Sequence, residues 1–132
     1  MRIEGLDFRR RSTAEHALVA GDAAIDALPT RNDVTVDDFV ALVAHLADVH
    51  PARYIGIVDG VRTVGLRDVA PLSSQTDALR FVALVDRLYD AQIGIVASGS
   101  PLDGVFGEDM LAGGYRKKYL RAMSRLVALT LL

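Results

Sequence analysis

The clearest pattern of apolar and polar positions lies in the second half of the chain. VRTVGLRDV is short, rich in β-branched residues and bounded by Gly60 and Pro71, which predicts a strand over 61–69. Ser74 stands at a capping position ahead of Ala78, Phe81, Val82, Val85, Leu88 and Tyr89, which recur at three- and four-residue spacing. Asp77, Arg80, Arg87 and Asp90 lie mostly off that stripe, so this segment reads as an amphipathic helix. QIGIVAS at 92–98 is then an almost unbroken apolar run, as in a strand covered on both faces. Strand, helix and buried strand in that order predict a right-handed βαβ unit with parallel pairing.

The flanks are weaker in pattern. Ser12 and Glu15 have capping-box spacing, which predicts a short helix over 13–20 that Gly21 and Asp22 weaken, with a second helical piece reaching Leu28. A polar connector over 29–33 leads to Thr35 and Asp38 at cap spacing ahead of Phe39, Leu42, Val43 and Leu46, the stripe of another helix. Pro51 suits a first helical turn, so a short helix is expected over 51–58, ending at Asp59-Gly60. LDGVFGEDMLAGGY reads as a loop with at most a short helical turn. The final helix should begin near Tyr115, with Tyr119, Met123, Leu126, Val127 and Thr130 on its apolar face. The fold class is therefore α/β: a small parallel βαβ unit with additional N-terminal helices and a C-terminal amphipathic helix, forming a single domain or partial domain over 1–132.

Composition narrows the function classes. With 15 basic and 17 acidic side chains, the net charge of -2 gives no global field toward nucleic acid or an anionic membrane. The absence of cysteine excludes a disulfide framework, a thiolate metal site and a cysteine nucleophile. The opening MRIEGLDFRRRSTAEH lacks the apolar core of a signal peptide, and no apolar run reaches the roughly 18 residues of a bilayer span. A soluble, cytoplasmic protein is expected. Thirteen arginines stand against Lys117 and Lys118, a skew that reads as the codon bias of a GC-rich genome.

Candidate chemistry is sparse. A P-loop needs a glycine-rich turn, a Lys for the outer phosphates and a Ser or Thr for Mg²⁺, yet the sequence has no Gly-Lys pair. A Walker B strand needs an apolar run ending in an acid, and in Thr63-Val64-Gly65-Leu66-Arg67-Asp68 the run is interrupted by Arg67. Asp68 is expected to cap a loop and not to hold magnesium. His16, His45 and His50 have no zinc spacing; His45 reads as half-buried and His50 as closing a helix or turn. Ser98-Gly99-Ser100 is not a nucleophile elbow. One charge concentration stands out: Arg116, Lys117, Lys118, Arg121 and Arg125, in which Lys117, Arg121 and Arg125 form a four-residue ladder able to meet phosphate or an acidic partner. A solvated helix face explains the same pattern. Tyr89, Tyr115 and Tyr119 read as core or boundary residues, not as a base-stacking platform.

ALRFVALVDRLYDAQIGIVASGSPLDGVF and GGYRKKYLRAMSRLVAL resemble segments near the end of ZapE-type cell-division ATPases, bacterial relatives of the AFG-type AAA+ proteins, particularly the actinobacterial form. Arg80-Phe81, Leu84, Val85, Asp86, Leu88, Tyr89 and Asp90 carry the resemblance, as does Ser124-Arg125-Leu126; HPARYIGIVDG and Gly5-Leu6-Asp7-Phe8-Arg9 extend it upstream. The resemblance implies ATP and Mg²⁺ as cofactors of the full-length family. It also implies that the P-loop, Walker B acid and sensor 1 lie before the region matched here, so this chain alone is not expected to hydrolyse ATP. Implied partners are the ATPase core or full-length subunits and cell-division proteins. No catalytic residue or metal ligand is carried over; Lys117, Arg121 and Arg125 are the candidate phosphate- or subunit-contacting residues, Arg125 foremost. The alternative is a free-standing, non-enzymatic module that binds division proteins or ATPase subunits. Nucleic-acid binding through the basic helix ranks last, because the basic residues lack the interleaving of a recognised module.

Overall fold

A computed structural model describes residues 21–131, and within them the sheet is the organising element. Three strands, β1 (Val34–Asp38), β2 (Thr63–Val69) and β3 (Gly94–Gly99), lie parallel in the order β1-β2-β3. Six α-helices surround them among the described residues: α1 (Asp22–Asp26), α2 (Phe39–Ala47), α3 (Tyr54–Val58), α4 (Gln75–Asp90), α5 (Glu108–Leu111) and α6 (Arg116–Leu129). Short 3-10 turns occupy Pro51–Arg53 and Leu102–Gly104. The predicted parallel β2-α4-β3 unit is present, with both strands starting two residues later than the apolar runs suggest. The expected helix over 13–20 lies outside the described residues.

β1 is a departure from the sequence reading. Thr35 belongs to this strand, while Asp38 alone caps α2, its Oδ2 accepting from the Ala41 N–H at 3.0 Å. α4 is capped as predicted, the Ser74 Oγ accepting from the Asp77 N–H at 3.3 Å.

The described residues cover the two sheet faces unequally. Strand alternation puts Val64, Leu66, Ile95 and Ala97 on one face, under α2, α3, α4 and α6, in the main core. A chain of rings runs through it: Phe39 meets Phe81 edge-on at 5.4 Å, Phe81 lies 6.3 Å from Phe106, and Phe106 stacks on Tyr119 at 4.8 Å. The other face carries the row Val36, Gly65 and Val96, against which α1 packs Ala24 and Ile25. Gly65 permits that approach, since a Cβ there would meet Leu28 at 3.1 Å and Ile25 at 3.3 Å.

α6 is rotated from its predicted orientation. Its buried residues are Tyr119, Ala122, Leu126 and Leu129, whereas Val127 is 39% exposed. The helix leans on α4 and on the turn at Leu102–Gly104, which draws the Ala122 and Leu129 side inward. Tyr119 is fully buried, and its hydroxyl has no hydrogen-bond partner among the described residues. A buried unsatisfied hydroxyl costs about 1–3 kcal/mol, so Tyr119→Phe should raise stability by about 1 kcal/mol in urea denaturation. A loss of that size instead would mean the hydroxyl is bonded in solution. Burial also raises the phenol pKa of Tyr119 from its ordinary 10.0. The unfolded chain then ionises first, so stability present below pH about 10 declines above it, and Tyr119→Phe should reduce that decline.

Candidate functional site

The basic ladder predicted on α6 separates into two environments. An α-helix advances 3.6 residues per turn, so each four-residue step overshoots a full turn by about 40°. Two steps carry Arg125 about 80° around the helix from Lys117, onto the flank that meets α4. There its Nη1 donates to Asp86 Oδ1 at 2.5 Å, and its guanidinium lies 4.7 Å from the centre of the Tyr89 ring. Asp86 and Tyr89 are three apart on α4 and present one landing surface. Both ion-pair partners are little exposed, 27% for Arg125 and 28% for Asp86, so the contact ties two core-forming helices together.

Lys117 and Arg121 remain exposed, one turn apart, with no ion-pair partner among the described residues. Lys118 lies over the exposed Tyr115 ring at 5.7 Å, extending the basic surface at the start of α6. Tyr89 takes a boundary position and Tyr119 a core one, whereas Tyr115 is 41% exposed, which corrects the core-or-boundary expectation for it.

The carboxyl ends of parallel strands are the other place where such sheets bind ligands. Here they are used structurally. Asp38 caps α2; Asp68 sits at a β-bulge with φ 56°; and β3 ends at Gly99 with φ 96°. The Ser98 Oγ accepts from the Asp68 N–H at 3.0 Å and thereby fixes the turn. Asp68 thus lies within β2, at its bulge, and its backbone N–H makes the bond while its carboxylate caps nothing among the described residues, which corrects the loop-capping expectation. Ser98 is the buried polar side chain of the described core, a role that its small-residue sequence context does not reveal.

Arg67, the residue that interrupts the Walker-like run, points to the opposite face from Leu66. It grips α1, Nη2 donating to Asp26 Oδ1 at 2.6 Å and Nη1 to Asp22 Oδ1 at 3.3 Å. These hydrogen bonds, Asp26's foremost, raise the guanidinium pKa further and hold the charge fixed. Arg67 is therefore a clamp for the helix on the face opposite the main core.

The two described histidines, His45 and His50, form no site with each other. His45 is exposed, correcting the half-buried expectation, because α2 turns Leu42 and Leu46 inward and leaves position 45 outside. His50 opens a turn and does not close one: its Nδ1 accepts from the Ala52 N–H at 3.0 Å. His16 lies outside the described residues, and no metal-ligating cluster occurs among those described. No helix among them is long and apolar enough to cross a membrane.

One feature of the described geometry thus has chemical reach: the exposed basic pair at the start of α6. No curated protein and no solved structure matches the chain. The AFG1-like ATPase family model matches residues 6–131, nearly the whole length. The chain belongs to the AFG1-like ATPase family, which marks it as an ATPase-related protein.

Proposed function

We propose that this chain serves as the C-terminal α/β unit of a ZapE-type cell-division ATPase, associating in the cytoplasm with subunits that carry the P-loop. It contributes structure and contacts, while ATP and Mg²⁺ are held by the partner. The observation that carries this reading is the combination of a family match over 6–131 with a sequence that has no Gly-Lys pair. Arg67 supports it, since the residue at the Walker-like position is committed to Asp22 and Asp26.

Within this reading, Lys117 and Arg121 contact an acidic surface or nucleotide phosphate on the subunit, and Arg125 positions α6 against α4 so that the pair is presented. Arg125→Ala should then lower stability by about 1 kcal/mol, from a half-buried ion pair and a ring contact. Lys117→Glu with Arg121→Glu should leave the denaturation midpoint unchanged and weaken association with a P-loop-bearing AFG1-like subunit at least tenfold. Steady-state ATPase assays of the purified chain should show no Mg²⁺-dependent turnover. Turnover that tracks the chain through purification would overturn the reading, as would full-strength association of the doubly reversed variant for the basic pair.

A free-standing interaction module without an enzymatic step is the second reading. It is favoured by the spread of the large exposed apolar residues Val36, Val40, Ile55, Tyr115 and Val127 over β1, α2, α3 and the two ends of α6. A monomer that binds a division protein while ignoring the ATPase subunit would select it.

A further inference from the structure

The two edges of the sheet differ. Along β3, the Leu131 N–H donates to Ile95 O at 2.7 Å and the Gly21 N–H to Ala97 O at 3.2 Å, so that edge is occupied by the chain itself. Along β1, the described residues pair with β2 alone. In a parallel ladder, alternate residues direct their N–H and C=O groups away from the neighbouring strand. Among the described residues, β1 therefore presents unpaired backbone groups outward, the template for one further strand.

Beneath that edge lies a cavity of about 230 Å³. Its floor is apolar and buried, with Leu42, Val58, Leu66, Phe81 and Leu88; Thr35 and Asp37 of β1 stand at its mouth, with His45 across it. A cavity of roughly 150 Å³ lined by such residues holds a benzene ring, so this one has room for a leucine or phenylalanine side chain. A strand placed about 4.8 Å beyond β1 would hold alternate side chains level with Thr35 and Asp37, over the cavity. The intervening side chain would lie beside Val36, which is 45% exposed on the other face. Asp37 has no ion-pair partner among the described residues. An acid at the mouth of an apolar pocket selects a basic side chain beside the inserted one.

We propose that the β1 edge and the cavity beneath it form a strand-docking site for an extended segment of the P-loop-bearing subunit. That segment is apolar on both faces, places a leucine- or phenylalanine-sized side chain in the cavity and brings a lysine or arginine to Asp37. This deepens the functional reading above by naming the surface that holds the partner. Backbone pairing supplies affinity and the pocket supplies specificity, as in other strand additions.

The site is tested first with a fluorescent peptide, Lys-Val-Leu-Val-Phe-Lys, and the full chain. Fluorescence anisotropy should show saturable binding, and hydrogen exchange of the outward-facing β1 amides should change from fast to slow on binding. Asp37→Lys should weaken binding at least tenfold, Thr35→Arg should do the same by blocking the mouth, and N-methylation of alternate peptide amides should abolish it. No saturable binding overturns the proposal, as does binding indifferent to these changes. Slow exchange of the outward-facing β1 amides in the free monomer overturns it too, by showing the edge already covered, and protection of those amides that appears only on dimerisation overturns the assignment to the ATPase subunit in favour of a second copy. The P-loop-bearing subunit should displace the peptide. Peptide binding without displacement would leave a strand site in place and overturn its assignment to the ATPase subunit, separating the two failures.

Discussion

Phe81→Ala should remove about 3–5 kcal/mol of folding stability, the cost of deleting a fully buried ring whose surroundings relax only in part. Natural domains hold about 5–15 kcal/mol in all, so the variant should be largely unfolded well below the midpoint of the parent chain. The size follows from position. Phe81 is the middle ring between Phe39 on α2 and Phe106 in the segment before α5, and it also lines the cavity under β1. Its loss therefore disconnects the two sides of the core and enlarges an existing void. Phe81→Leu keeps most of the volume and should cost less than half as much. Urea denaturation followed by circular dichroism checks both, and a loss below about 1 kcal/mol for the alanine variant would mean that the ring chain is not a continuous core.

How much of this was legible in the sequence depends on whether an element is specified locally. α4 was, because its cap at Ser74 and its six stripe residues lie within one segment, and the apolar run at β3 was long enough to show burial on both faces. β1 was not. VTVDD offers only two alternating valines, and the cap at Asp38 makes the preceding residues look like a helix approach. Its strand conformation comes from pairing with β2, whose register partner for Val36 is Gly65, and no local pattern announces a pairing across that distance. Arg67 shows the same limit: its spacing marked an interruption, while its partners Asp22 and Asp26 lie 45 and 41 residues away. The ladder on α6 was correctly placed on one helix, but spacing by four does not say which rung a neighbouring helix will reach. Asp86, 39 residues before Arg125, decides that, so two exposed rungs remain as candidate contacts and the third becomes a tie.

Gly99→Ala should cost at least about 3 kcal/mol, through backbone strain and a clash that cannot relax cheaply. Gly99 has φ 96°, and a Cβ on it would stand 2.6 Å from both the Val69 N and the Val69 O, with Asp68 C at 2.9 Å. These are backbone atoms of β2, so relief requires the two strands to part at their carboxyl ends. That junction is heavily bonded: the Ser100 N–H donates to Val69 O at 2.8 Å, and the Asp68 N–H to Ser98 Oγ at 3.0 Å. Separating the strands there breaks both bonds and leaves Ser98 buried without its partner. It also disturbs the segments that leave the two strands, which meet again where the Leu72 N–H donates to Val105 O at 2.8 Å. The first leads into α4 and the second toward α6, so the basic pair Lys117 and Arg121 should lose its presentation along with stability. Gly104→Ala is the internal control, having open space around a Cβ and no positive φ; it should be neutral or gain about 0.4–1 kcal/mol. If the two variants denature alike, the close approach of β2 and β3 at Gly99 does not exist in solution, and the account of the sheet's carboxyl edge as a structural splice fails with it.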